Sequence, residues 1–173
     1  MHERRRADGD LNDVLPEERR AREVLADRGL DLVAMAVVSN IFRLSTAIRR
    51  HMEGTVLAAD DLSWTAFVAL WCLWIWGEME SRDLAAAVGI SKPTSTGVVT
   101  TLERRGLVER RKGPHDGRMV RVSLTAEGRE LIEDLFPRFN QEESKIAAHV
   151  AHADRDSLAA MLRSLLRAVE SAE

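Results

Sequence analysis

The chain has a single cysteine, Cys72, among its 173 residues, so no intramolecular disulfide can form. Apolar residues make up 45% of it, enough for a core, yet no uninterrupted apolar run reaches the roughly 18 residues of a membrane-spanning helix. The opening segment, MHERRRADGD, is too polar for a secretory signal peptide. We therefore expect a cytoplasmic protein with one principal domain.

Recognisable catalytic motifs are also missing. The sequence has no glycine-rich phosphate loop, no nucleophile elbow and no His-Glu-x-x-His motif, so we expect neither an enzyme nor a cofactor. His149 and His152 stand three residues apart near two aspartates, but two histidines alone are weak support for zinc. We therefore predict no metal site.

Net positive charge is lacking as well, because the whole chain carries −3. Residues 91–121, however, contain eight Lys or Arg against three acids, a local charge of +5 that leaves −8 on the rest. A basic island on an acidic body is typical of a protein that presents one face to phosphates.

Most of the chain has helical periodicity. Apolar spacing predicts helices over 16–28, 30–52, 61–76, 81–88 and 91–105, a long helix capped by Thr125 with an apolar stripe from Leu131 to Phe139, and a last helix over 154–169. Asp60 or Asp61 is the expected N-cap of the third of these helices, Ser81 of the fourth and Ser91 of the fifth. Gly89 and Gly106 should end the fourth and fifth helices.

Two short helices joined by a tight connection precede a basic hairpin, and this order predicts a winged helix-turn-helix. The second helix is long enough to lie in a major groove, where threonine offers a hydroxyl for base edges and a methyl for thymine. We predict DNA contacts from Ser91, Lys92, Pro93, Thr94, Thr96, Thr100, Thr101 and Arg104 of the helix and from Arg110, Arg111, Lys112, Asp116, Arg118 and Arg121 of the hairpin.

Arg118, near the hairpin tip, is predicted to enter a minor groove, and the other hairpin cations are predicted to lie near phosphates.

The strings LSWTAFVALWCL, SRDLAAAVGISKPTSTGVVTTLERRGLVERR, DGR and VSLTAEG resemble the MarR family of bacterial transcriptional regulators over roughly residues 31–169. The resemblance implies that Asp116 and Arg118 form the Asp-x-Arg of the wing, with Asp116 orienting the arginine or tying the wing to its own domain. It also implies a homodimer formed by the terminal helices. Two features depart from the family. Gly97 stands where a larger residue is common, and the N-terminal segment of about 30 residues is longer than usual.

The resemblance further implies a small aromatic or phenolic effector. Core packing is the simpler interpretation of the tryptophans, and the alternative is a pocket with a cationic partner among Arg49, Arg50 and His51. The predicted pocket consists of Ile41, Leu44, Arg49, His51, Trp64, Phe67 and Trp71. Cys72, among tryptophans, is expected to be a small buried apolar residue.

The predicted fold is mainly α with a small β-hairpin wing. Residues 1–29 would be a partly flexible extension, 30–55 and 129–173 the helical dimerisation region, and 56–128 the winged helix-turn-helix domain. The function predicted is a homodimeric DNA-binding regulator, a repressor at a pseudo-palindromic operator. The alternative is a winged-helix protein–protein interaction module without DNA binding, which salt dependence would distinguish.

Overall fold

The computed structural model describes residues 14–112 and 120–171, and these confirm a mainly helical fold with a small antiparallel sheet. The elements are α1 (Pro16–Leu25), α2 (Leu32–Gly54), α3 (Trp64–Trp76), β1 (Met79–Glu80), α4 (Ser81–Val88), α5 (Lys92–Arg104), β2 (Val108–Lys112), β3 (Val120–Leu124), α6 (Ala126–Ala147) and α7 (Arg155–Glu170). The chain forms two compact units, residues 1–49 and 50–173.

The first unit contains α1 and most of α2, and these two helices are joined by contacts between polar side chains. Glu17 pairs with Arg43 at 2.9 Å, and the hydrogen bond lowers the pKa of the Glu17 carboxyl. Asn40 donates to the carboxylate of Glu18. As predicted, a helical segment begins at Pro16, continues as a 3-10 turn and ends at Gly29, whose φ is 64°.

Helix α2 is the most apolar long helix of the described residues. An 18-residue window within Leu32–Gly54 has a mean hydropathy of 1.4, so the helix is long and apolar enough, by length and composition alone, to cross a membrane. The criterion of an uninterrupted apolar run missed this segment, because its apolar residues are interrupted by a few polar ones. A single such helix is weak support for a membrane span.

The core of the second unit is built around α3. Six of its residues are buried: Ala66, Phe67, Ala69, Leu70, Cys72 and Leu73. The ring of Phe67 stacks on that of Phe139 from α6, with centroids 4.0 Å apart and planes inclined by 19°. Burial raises the pKa of the Cys72 thiol, which confirms the interpretation of this cysteine as an apolar core residue.

The predicted cap of α3 was wrong. Ser63 is the N-cap, and its hydroxyl accepts from the backbone N–H of Ala66 at 3.2 Å. Asp60 and Asp61 belong to the preceding turn, where their backbone carbonyls accept from the guanidinium of Arg105 at 2.7 Å each. The aspartates therefore fix a loop and do not begin a helix.

The cap predicted for α4 was also wrong. Glu80 occupies the N-cap position, and Ser81 is the first helical residue. The Ser81 hydroxyl donates to the carbonyl of Val120 at 3.1 Å, so it ties the helix to the hairpin.

A third strand, β1, extends the hairpin into a sheet of order β1–β3–β2. In β1, Met79 pairs with Val122 and Glu80 with Arg121. The predicted hairpin pairing runs from Val108 opposite Leu124 to Lys112 opposite Val120. Two residues are too few to show strand periodicity, which is why the sequence did not reveal β1.

Backbone contacts join the end of α5 to the start of α6. Gly106 has a φ of 72° and turns the chain, after which the N–H of Leu107 donates to the carbonyl of Leu102 at 3.0 Å. The N–H of Thr125 donates to the carbonyl of Leu107 at 3.2 Å, and its hydroxyl donates to that of Gly106 at 2.6 Å. A Cβ at Gly128 would lie 1.9 Å from the carbonyl oxygen of Leu107, so only glycine fits there.

Replacing Gly128 by alanine should lower the free energy of unfolding by about 1–3 kcal/mol, because the backbone of Leu107 must shift to admit the new methyl group. Gly97→Ala is the matched control, since a Cβ there meets nothing within 4 Å. That variant should be about 0.5–1 kcal/mol more stable than the wild type. Urea unfolding followed by circular dichroism measures both, and equal effects of the same sign would contradict the packing argument.

Candidate nucleic-acid interface

Helices α4 and α5 form the predicted helix-turn-helix. Gly89 ends α4 with a φ of 72°, and only Ile90 and Ser91 separate it from α5. Ser91 is the N-cap of α5, where its hydroxyl accepts from the N–H of Thr94 at 3.3 Å. Pro93 lies in the first turn, where the backbone needs no N–H donor. The tight connection and the cap are thus confirmed.

One face of α5 is buried and the opposite face is open. Apolar spacing predicts that Ser95, Val98, Val99 and Leu102 face the core; Ser95, Val99 and Leu102 are buried, whereas Val98 is half-buried. The exposed residues of the helix include Lys92, Pro93, Thr94, Thr96, Gly97, Thr100, Thr101 and Arg104. Every α5 residue predicted to contact DNA therefore lies on the solvent side.

The threonine hydroxyls on this face are partly occupied by the helix itself. Thr96 donates to the carbonyl of Lys92 at 3.0 Å, and Thr100 donates to that of Thr96 at 2.8 Å. Because each hydroxyl has one hydrogen, Thr96 keeps its lone pairs and its methyl free, whereas the hydroxyl oxygen of Thr100 also accepts from Nη2 of Arg110 at 2.5 Å. Such threonines can accept from a base amino group or contact a thymine methyl.

The hairpin cations differ in their surroundings. The Arg111 side chain is 67% exposed and pairs with Glu109 of its own strand at 2.7 Å. Lys112 is exposed. Arg121 pairs with Glu78 at 2.8 Å, and this hydrogen bond raises the pKa of the Arg121 guanidinium further above its usual value. These three cations lie on the two long strands that follow α5.

Arg110 differs from the other strand cations. Its side chain is only 28% exposed, and its guanidinium lies against α5, 3.1 Å from the carboxylate of Glu103. The sequence did not predict this orientation. The alternation of side chains along β2 was the available signal, because Arg110 is two residues from buried Val108.

The predicted wing residues Asp116 and Arg118 lie outside the described residues, and their role stays a prediction.

The aromatic residues of the predicted pocket are largely core residues. Phe67 is buried, whereas Trp64 and Trp71 are half-buried. The ring of Trp64 lies 5.9 Å from that of Phe139, and Trp71 meets Trp76 edge-on at 5.6 Å.

The remaining pocket residues are exposed. Ile41, Leu44 and Arg49 are exposed within the first unit. In the second unit, His51 lies 3.3 Å from the carboxylate of Glu142. Lys145 and, to a smaller extent, His51 lower the pKa of the Glu142 carboxyl by hydrogen bonding. Among the described residues no group of three metal-ligating side chains occurs.

Comparison with known sequences agrees with this geometry. The sequence profile of the MarR family matches residues 62–120, which run from the end of the loop before α3 through α5 and β2 to the first residue of β3. The uncharacterised HTH-type transcriptional regulator YwaE of Bacillus subtilis (strain 168) is 36% identical over 136 residues, covering 79% of this chain and 80% of the relative. The transcriptional repressor MprA of Escherichia coli (strain K12) is 26% identical over 139 residues, covering 75% and 79%.

Solved structures show the same fold. Transcriptional regulator PA4135 superposes with a TM-score of 0.69 at 27% identity, covering 75% of this chain and 95% of the other. NadR in complex with 4-hydroxyphenylacetate superposes with a TM-score of 0.63 at 26% identity, covering 75% and 91%. These relatives are transcriptional regulators and not enzymes. Together with the fold and the open face of α5, they define a winged helix-turn-helix transcriptional regulator that binds DNA. The chain belongs to the MarR family.

Loss of the α5 cap should be measurable apart from any effect on DNA binding. Ser91→Ala is expected to lower the free energy of unfolding by about 1 kcal/mol, because the N–H of Thr94 loses its acceptor. Ser91→Gly removes the same hydroxyl but should lower the free energy of unfolding by only about 0.3 kcal/mol, since glycine is tolerated as a cap. Thermal and urea unfolding measure the difference, and equal stability of the two variants would contradict the capping role.

Proposed function

We propose that this regulator is a homodimeric repressor that acts in the cytoplasm on a pseudo-palindromic operator. The observation that carries the proposal is the open face of α5, which is rich in threonine and is followed directly by the cationic strands β2 and β3. Each α5 would occupy a major groove, and the strand cations would lie near phosphates.

Dimerisation is supported by apolar residues that the monomer leaves open. In the second unit, α7 exposes Leu158, Met161, Leu162, Leu165, Leu166 and Val169. In the first unit, α2 exposes Val33, Val37, Val38, Ile41, Phe42 and Leu44. Apolar surface of this extent is characteristic of an interface. A two-fold dimer would read half-sites about one DNA turn, ~34 Å, apart.

The sign of regulation and the effector are inferred from relatives. MprA is named a transcriptional repressor, and NadR was solved with a hydroxylated aromatic acid. A small aromatic anion would act by changing the separation of the two recognition helices, since both fit successive grooves at one spacing only.

Selection of bound fragments from random duplex DNA with the purified protein tests the proposal. A two-fold-related motif should be enriched, and its affinity should fall steeply with salt because several phosphates are contacted. Absence of any enriched motif, together with a protein partner bound independently of salt, would favour the protein–protein interaction module instead.

Arg118→Ala should weaken binding to the selected duplex by roughly tenfold, because a cation is lost from the minor groove, while the dimer stays intact. Lys145→Ala is the control, since it removes an equal charge near the far end of α6. Mobility-shift titration and sedimentation measure the two properties. Equal affinity of Arg118→Ala and wild type would count against a wing contact.

Hydroxylated aromatic carboxylates should release the preformed DNA complex, whereas an uncharged analogue such as benzyl alcohol should not. A fluorescently labelled duplex reports the release as a drop in anisotropy. If no member of a chemically varied panel acts, the effector part of the proposal is wrong and the DNA-binding part is unaffected.

A further inference from the structure

Arg110 occupies an inward position on the first long strand of the hairpin. It lies two residues from Val108, which is 2% exposed, and it pairs directly with Val122, which is fully buried. Alternate residues of a strand point to opposite faces, so Arg110 shares the face of these valines while Arg111 does not. The stem of Arg110 thus lies beside the core, and its guanidinium reaches α5.

One nitrogen of this guanidinium, Nη2, contacts two residues of α5. It donates to the hydroxyl oxygen of Thr100 at 2.5 Å and lies 3.1 Å from Oε2 of Glu103. Thr100 and Glu103 are three residues apart, so they are neighbours on the helix surface. The hydroxyl of Thr100 also donates to the carbonyl of Thr96 at 2.8 Å. Because the Thr100 hydroxyl both donates to Thr96 and accepts from Arg110, its side chain is held in one rotamer and its methyl group points in one direction.

Glu103 is the only acid in α5, and its side chain is 43% exposed. A carboxylate on this helix repels DNA phosphates unless a cation compensates it. A partly exposed ion pair adds little to stability, typically below about 1 kcal/mol. The pair is therefore better explained by what it does to the charge and side-chain geometry of the DNA-facing surface than by what it does to folding.

We infer that Arg110 is a positioning residue of the recognition helix, which neutralises Glu103 and fixes Thr100, and that it is not a phosphate contact. The inference rests on the proposed DNA binding and revises the contact predicted for Arg110 from the sequence. It also makes Glu103 a residue whose charge opposes binding whenever Arg110 is absent.

The test is a double-mutant cycle of Arg110→Met and Glu103→Gln on the selected duplex across a range of salt concentrations. Methionine keeps an unbranched apolar stem beside Val108 and removes the charge. Arg110→Met should weaken binding by roughly tenfold, because the carboxylate is exposed to phosphates. Glu103→Gln alone should change the affinity by less than about twofold, because Arg110 already neutralises the carboxylate. The double variant should return to within about twofold of the wild type, a recovery that additive effects of the two single variants would not give.

The salt dependence separates this role from a direct contact. If Arg110 only neutralises Glu103, the slope of log affinity against log salt should stay nearly unchanged in Arg110→Met. If Arg110 contacts a phosphate, the slope should become shallower by about 0.9 and Glu103→Gln should give no rescue. That second result would overturn the inference.

Lys112→Ala is the matched control. Lys112 lies on the same face of the strand two residues further on, is exposed, and has no ion-pair partner within the described residues. Its loss should make the slope shallower by about 0.9 and should not be rescued by Glu103→Gln. Rescue of Lys112→Ala to the same extent as Arg110→Met would also overturn the inference, because the effect would then be general electrostatics.

Two further measurements keep the result interpretable. Arg110→Lys restores the charge without the planar fork, so it should recover most of the affinity while broadening the base preference near Thr100 in a repeated selection. If Arg110→Met binds weakly because it is unfolded, circular dichroism shows it, and the Arg110→Lys and Glu103→Gln results then decide. Failure of the wild type to bind any duplex would refute the proposed function, whereas normal wild-type binding without rescue refutes only the role of Arg110.

Discussion

The backbone of Gly106 and Leu107 is the constraint on which the proposed DNA-binding surface depends. Here α5 ends and the first long strand begins, and the N–H of Leu107 donates to the carbonyl of Leu102. The start of α6 is held at the same place, because Thr125 donates to the carbonyls of Leu107 and Gly106. Gly128 closes the junction because no side chain fits against Leu107. Backbone bonds of this kind are far less sensitive to salt than surface ion pairs. The angle between helix and hairpin is therefore fixed before any charge is considered.

On this frame, the proposed base contacts and the proposed phosphate contacts involve different residues. The centre of the α5 face is uncharged, and its threonine hydroxyls are oriented by their own helix. Cations are concentrated on the following strands, where several are already paired, Arg121 with Glu78 and Arg111 with Glu109. Because Glu78 lies outside the basic segment 91–121, the formal local charge of +5 overstates the field that a duplex would meet.

Sequence patterns predicted features whose causes are local. The cap at Ser91 and the helix ends at Gly89 and Gly106 depend on residues within one turn of each other, so they can be recognised directly. Features with distant partners were missed. Ser81 bonds to Val120, 39 residues away, and Asp60 and Asp61 serve Arg105 across more than 40 residues. Strand β1 is likewise defined only by its pairing with β3.

Arg110 and Arg111 show why counting cations does not define a nucleic-acid interface. They are adjacent in sequence, and both read as phosphate contacts in a basic hairpin. Strand alternation places them on opposite faces, so one lies against the recognition helix and the other faces solvent. A hairpin packed on its own domain necessarily turns about half of its side chains inward. For such a wing, charge alone gives an upper limit on phosphate contacts, and the register of the strands decides which cations remain available to the duplex.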